Sequence, residues 1–518
     1  MGFNKSKRNT VSPGYVPETT TYEGGPGYFM TPELELFVLV GASLFSGDSY
    51  YEGDEERKGR FYSLVEEVIS RNPSYVADLA IYARRVLGLR SGPSAMVAHL
   101  FWSGPKEEAT RASRGVWVRG DEHLETLAYT LANGWKVKSS LKRAVANRMN
   151  SLSPFALVKY ACRNCDVSQA DAVRLTHPKP KDEAHSMVYR YLSWQNSNTR
   201  RRLPEEWEKA TVYVRNLMFN ERPTWERILS LKGSTAEAWR EAVPHLRGLS
   251  LLRNLNNLLK HGLLNDPEVV SAVVRGITET VSDPFILPYH YVLPIIYAKE
   301  ADSSSTLPPP IVRTLEEAIH KSAMFVPERL ALDTVVLLDY SGSMVSPISA
   351  NSKATLLLVA TSLAYSLFLR GATVYAFSND VYRIDRLSNG GRTVNPYSLS
   401  ELYDYLVSRA NGTYLGKALS VSLQQAEGAK RVIIITDEQA HDDSYSPLTK
   451  WLSSHPERRA YVINVGGYMV SAFPEIDGQI VRLSGYSDRL LDFIDTLEEA
   501  FRDPVAGVRQ ALSRYNLL

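Results

Sequence analysis

Apolar positions along the chain follow two rhythms, and the change between them falls near residue 331. From 31 to about 320, Leu, Ala and Val recur at three- and four-residue intervals, with Pro or Gly breaks between the runs. That spacing puts the apolar side chains on one face of a helix. It predicts helices at 60–71, 75–87, 121–132, 137–149, 207–219, 267–281 and 311–325. Strand-like alternation is scarce, so this half reads as stacked helix pairs, a HEAT-like α-solenoid, although no repeat keeps a fixed period. The Ser-, Thr- and Pro-rich stretch 303–310 reads as a loop or hinge before the last of these helices.

Past 331, short β-branched runs alternate with helical ones. Strands are expected at 334–339, 373–378, 381–385, 431–436, 460–465 and near 479–484. Helices are expected between and after them, at 352–369, 398–409, 415–426, 446–454 and 487–502. Strand and helix in alternation predict a doubly wound, mostly parallel α/β sheet. The expected organisation is a flexible arm at 1–28, an all-α domain at 29–330, an α/β domain at 331–503 and a tail at 504–518. At 518 residues the chain is too long for one ordinary core.

Composition narrows the function classes. With 44% hydrophobic and 22% charged residues, the chain is that of an ordinary globular protein. No signal peptide or run of ~20 apolar residues is apparent, so a cytoplasmic protein without a membrane segment is expected. The two cysteines, Cys162 and Cys165, exclude a disulfide framework and are expected as a buried or incidental thiol pair. No Gly-x-Gly-x-x-Gly or Walker A pattern opens the α/β half, so a phosphate cradle for nucleotides is missing.

Two stretches carry chemistry. Asp339-Tyr340-Ser341-Gly342-Ser343 follows a buried-strand run and sets one carboxylate and two hydroxyls at alternate positions. Such hard oxygens at the carboxyl end of a strand suit Mg²⁺ or another divalent cation. Thr413, ahead of a predicted helix, and Asp437, at the end of a second strand run, would complete the site. The second stretch is basic. The net charge is only +2, yet no Asp or Glu occurs between Thr126 and Cys165, a span that holds Lys136, Lys138, Lys142, Arg143, Arg148, Lys159 and Arg163. Arg174, His177, Lys179 and Lys181 follow, against Asp166 and Asp171. A local excess of cations is the footprint expected of a partner with a phosphate backbone, and Arg174 and His177 are placed to meet unpaired bases.

The metal loops, in this order on a strand–helix rhythm, resemble the metal-ion-dependent adhesion site of von Willebrand factor A domains. The string from Lys159 to Asn164, then Asp171 to Pro180, is similar to the RNA-binding core of the Ro autoantigen or TROVE family. Further matches are Thr224-Trp225-Glu226, Ala238-Trp239 and 251–255. A helical half followed by an A domain is that family's domain order. The resemblance implies a ring of HEAT-like repeats closed by the A domain. Small noncoding Y RNAs would bind on its outer surface, and 3′ ends of misfolded or structured RNA in a basic central hole. It implies Y RNA contacts at Lys159, Arg163 and His177, with Lys136, Lys138, Lys142 and Arg143 in the basic helix before them. Mg²⁺ would be held by Ser341, Ser343 and Thr413, with Asp339 and Asp437 in or just behind the first shell. Partners implied are Y-like RNA and, through it, a 3′-to-5′ exoribonuclease, around a monomeric protein in a ribonucleoprotein.

The match is incomplete at two points: an extra residue separates Arg163 from His177, and Tyr414 follows Thr413 where A domains often carry Asp. The expected function is therefore non-catalytic RNA binding in quality control or as a ribonuclease adaptor. The alternative is a protein-interaction adaptor that uses the Mg²⁺ site and the helical array. A metal-dependent nuclease fits poorly, because two ions about 4 Å apart need clustered carboxylates.

Overall fold

The computed structural model describes residues 19–20, 26–27, 31–42, 54–162, 165–195, 205–218, 224–301, 306–348, 354–389, 391–426, 428–439, 441–466, 476–477, 479–484 and 489–517. Apart from a two-residue strand pair, Thr19–Thr20 with Pro26–Gly27, the arm expected at 1–28 lies outside them. The described chain forms two compact units.

One unit gathers Pro32–Gly41, Lys58–Leu231 and Glu499–Leu518, and its described elements are helical. At its centre lies helix Pro73–Arg85, which starts where Asn72 accepts the Tyr75 N–H and Pro73 fixes the first turn. Every residue from Tyr75 to Ala83 is buried, because Ser91–Ser103, Lys106–Val116 and Pro504–Arg514 pack around it. The last of these helices forms in the tail that the apolar pattern left unassigned. Asp503 caps it by accepting the Val505 and Ala506 N–H groups, and Val508, Ala511 and Leu512 face inward. One buried acid is shared there. Asp78 accepts from Arg111 (2.6 Å) on one oxygen and from Arg509 (3.0 Å) on the other.

The second unit includes Lys232–Glu498. Helices Gly248–Lys260, Pro267–Thr280, Pro288–Ala301 and Pro309–Ala323 precede a seven-stranded sheet. Its strands are β1 (Thr334–Asp339), β2 (Thr373–Phe377), β3 (Val381–Arg383), β4 (Arg431–Thr436), β5 (Arg459–Asn464), β6 (Ile476–Asp477) and β7 (Ile480–Ser484). They lie in the order β6-β7-β5-β4-β1-β2-β3. The inner pairs are parallel, while β3 and β6 run antiparallel at the edges. Strands β1 and β4 occupy the predicted residues and are almost wholly buried, as strands covered on both faces must be.

Helix Leu356–Leu369 explains its own composition. It packs on β1, β2 and β4 and also on Pro288–Ala301 and Pro309–Ala323, so residues 356–367 are all buried. A helix covered all round needs no polar face. The chain turns to opposite sides after β1, with β2 on one flank and β4 on the other. The carboxyl ends of β1 and β4 therefore frame the switch point of the sheet, where open α/β folds leave a crevice.

Candidate metal centre and nucleic-acid interface

Asp339 ends β1 and Asp437 follows β4, so the switch point carries both expected carboxylates. Asp339 is fully buried, and its two oxygens accept from the Ser341 N–H (2.8 Å) and the Thr436 hydroxyl (2.6 Å). Ser341 Oγ and Ser343 Oγ lie 3.3 Å apart. The 411–414 loop is tied in beside them: Asn411 O accepts the Gly342 N–H at 2.6 Å, and Thr413 O accepts the His441 N–H at 2.9 Å. Thr413 and Ser341 are buried and Ser343 is half-buried. The three loops are thus knitted to one another through their backbones.

The electrostatics of this corner ask for a cation. Burial pushes the Asp339 carboxyl up to about 7, with the Asp437 charge adding to it, against the hydrogen bonds from Thr436 and Ser341. Asp437 Oδ1 accepts the Gln439 N–H at 3.2 Å, but its buried Oδ2 meets no hydrogen-bond partner among the described residues. An unmatched carboxylate oxygen among hydroxyls is a donor set that suits a hard divalent cation. No group of three or more His, Cys, Asp or Glu side chains converges among the described residues, so hydroxyls make up much of the set.

The other acids past Asp437 are already committed. Glu438 is buried and accepts from Arg482 at 2.6 Å. Asp442 accepts the Gly416 (2.9 Å) and Lys417 (2.8 Å) N–H groups at the start of helix Leu415–Gln424. Asp443 does the same for Tyr445 and Ser446, which holds its carboxyl below the usual range. Gly416 has to be glycine, since a Cβ there would sit 2.1 Å from Asp443 O.

The basic residues lie in the helical unit. Lys136, Lys138, Arg143, Lys159, Arg174, His177 and Lys179 are exposed and Lys142 is half-buried; Arg163 lies outside the described residues. Lys136 and Lys138 are not in a helix, contrary to expectation. Helix Glu122–Ala132 ends in a Schellman turn, with Trp135 N–H bonded to Thr130 O, Gly134 N–H to Leu131 O, and Gly134 at φ 68°. The chain then runs extended through Lys138 into helix Ser139–Ser151.

Two further members of the run are engaged in the fold. Arg148 donates to the Val118 (2.8 Å) and Arg119 (3.1 Å) carbonyls. Arg174 lies 3.4 Å from Asp171 and donates to Ser193 O. In contrast, no ion pair holds Lys136, Arg143, Lys159 or Lys179 among the described residues.

His177 ends helix Gln169–Thr176 in the left-handed region, at φ 47° and ψ 58°. That conformation is uncommon for a side chain with a Cβ, and the imidazole is exposed. The following loop is anchored by Asn150, whose amide donates to Lys179 O at 2.8 Å. Lys159 Nζ lies 5.8 Å from the centroid of the Tyr160 ring, and Arg119 lies over the same ring at 5.3 Å. Cys162 and Cys165 are bonded to each other, and Cys165 is exposed, where a buried or incidental thiol pair was expected.

Residues 170–293 match the TROVE domain family. The RNA-binding protein RO60 of Deinococcus radiodurans is 28% identical over 357 residues, covering 62% of this chain and 65% of that protein. The crystal structure of the Deinococcus radiodurans Ro protein shares the fold: TM-score 0.64, 20% identity, 89% of this chain and 99% of that one. The chain carries a match to the TROVE domain and is similar to Ro proteins. Telomerase protein component 1 of Mus musculus is also similar, 38% identical over 89 residues, and that of Rattus norvegicus is 41% identical over 78. This chain spans only 3% of the length of either telomerase component. The family's helical half and following α/β sheet are both present. No helix among the described residues is long and apolar enough to cross a membrane.

Sequence reasoning missed Thr436, Arg482 and the structural use of Arg148. Thr436 stood at the end of a recognised strand and was accessible to it. The partners of Arg482 and Arg148 are set by tertiary packing and left no sequence signal.

Proposed function

We propose that the chain is a non-catalytic RNA-binding protein of the Ro type. The observation that carries this is the set of exposed cations on the helical unit, Lys136, Arg143, Lys159 and Lys179, that no ion pair holds among the described residues. Unpaired surface cations bind phosphates at little desolvation cost and release counterions as they do so. The exposed His177 adds a ring for an unpaired base. The ligand in this reading is a small structured noncoding RNA of the Y type, with single-stranded 3′ ends as a second ligand. The protein then serves RNA quality control or tethers an exoribonuclease through the RNA. The test is a gel-shift salt series comparing the parent with Lys159→Ala/Arg163→Ala/His177→Ala. Equal affinities would reject the reading.

A second site is favoured by the unmatched Asp437 oxygen. Ser341, Ser343 and Thr413 would hold Mg²⁺, with Asp339 and Asp437 supplying charge in or behind the first shell. The ion would supply an open coordination position for an acidic group of a partner. On this reading the carboxylates and hydroxyls hold the ion and do not catalyse. Glu438, Asp442 and Asp443 are occupied by Arg482 and two helix starts, which leaves no acid cluster for a second ion among the described residues.

A further inference from the structure

Trp102 and Trp135 stack with ring centroids 5.3 Å apart and planes within 4° of parallel. Both are half-buried, at the surface of the helical unit. The Schellman turn at Gly134 sets Trp135, and helix Ser91–Ser103 carries Trp102. Buried His99 and half-buried Tyr129 and Tyr62 back the stack. His99 meets Trp135 edge-on at 4.8 Å, Tyr129 does so at 6.0 Å, and Tyr62 packs against both His99 and Tyr129. His99 Nε2 and the Tyr129 hydroxyl are 3.1 Å apart.

On the solvent side is charge. The exposed Lys138 Nζ lies over the Trp102 ring, 5.1 Å from its centroid, and donates to the Trp102 carbonyl. Exposed Lys136 is two residues away, and the acid-free span continues to Cys165. Glu66 is the acid that approaches the ring cluster, 3.6 Å from His99 Nδ1.

We infer that the Trp102–Trp135 pair is a base-stacking platform for single-stranded RNA, with Lys138 and Lys136 receiving the neighbouring phosphates. The inference rests on the RNA-binding reading and extends it to residues outside the Lys159–Lys179 run. A base settling on Trp102 exchanges one cation–π contact for a ring-on-ring stack and releases Lys138 to a phosphate. Because the rings beneath are already packed, little side-chain freedom is lost on binding. Stacking tolerates any base, so the platform recognises the unpaired state rather than a sequence.

The test is a set of potassium chloride titrations on a short uridine-rich single strand, a blunt RNA duplex and an abasic strand of equal length. Trp102→Leu is expected to weaken single-strand binding about tenfold at every salt concentration, with the salt slope and duplex affinity unchanged. Trp102→Phe should restore most of the loss. Lys138→Met should instead reduce the slope by about 0.7. In the parent, the uridine strand should quench tryptophan fluorescence and bind more tightly than the abasic strand. That comparison decides the matter even if Trp102→Leu does not fold. Equal binding of the uridine and abasic strands, or a folded Trp102→Leu that binds as the parent does, overturns the platform and leaves RNA binding standing. A parent that binds none of the three overturns the RNA-binding reading and the platform with it.

Discussion

Arg482 on β7 donates to Glu438, just past β4, at 2.6 Å, and neither side chain reaches solvent. Glu438 also sits at φ 61°, next to the candidate metal ligand Asp437. A buried pair is costly to break from one side, because the survivor keeps its charge without its partner. Arg482→Met is expected to cost about 3–5 kcal/mol. The double variant Arg482→Met/Glu438→Gln should recover part of that loss, as measured by urea unfolding in a double-mutant cycle.

Metal loading has a readout in stability. A ligand that binds only the folded state raises the unfolding midpoint with its concentration. Mg²⁺ is expected to raise the midpoint of the parent and to leave Ser343→Ala and Asp437→Ala unmoved. Ser343 is half-buried, so its loss by itself should change stability by less than about 1 kcal/mol. A parent midpoint indifferent to Mg²⁺ would argue against the site.

The basic residues should separate into two classes. Lys159→Ala is expected to lower the salt slope of RNA binding by about 1 while barely affecting unfolding. Arg148→Met should do the reverse. It strips the hydrogen bonds at the Val118 and Arg119 carbonyls, at about 1–3 kcal/mol, and should leave the salt slope unchanged.

Two buried histidines make the helical unit sensitive to mild acid. Burial lowers both His99 and His123 from 6.5 to about 4. A depressed histidine pKa means the unfolded chain takes up the proton first. The stabilisation is therefore complete above pH 6.5 and is lost as pH falls towards 4. Stability should decline by about 1.4 kcal/mol per pH unit for each histidine in that window. Thermal melts of the parent and His123→Gln would show it, with a shallower decline in the variant.

Much of the fold was readable because burial pattern and local spacing agreed. Helix 267–281 was expected and Pro267–Thr280 is found, and β1 and β4 have the predicted ends. The placement of Asp339 and Asp437 at strand ends was legible for the same reason: both follow recognisable strands. What stayed hidden depends on distant partners. Nothing local tells Arg148, which meets two carbonyls 29 and 30 residues away, from Lys159, which faces water. The helical reading of Lys136 and Lys138 failed because the Gly134 turn, not the apolar pattern, decides where the next helix starts. The Trp102–Trp135 stack joins rings from two helix ends, and neither residue signals the other.

The shared acid Asp78 has a consequence for synthesis. Its two arginine partners, Arg111 and Arg509, leave the ribosome at very different times, the second 431 residues after Asp78 itself. Until then the helix Pro73–Arg85 lacks its packed neighbour Pro504–Arg514, and Asp78 lacks half of its compensation. Closing so long a loop is slow relative to local helix formation. The nascent helical unit therefore carries an unsealed apolar face while those 431 residues are made, a window in which a chaperone has something to hold.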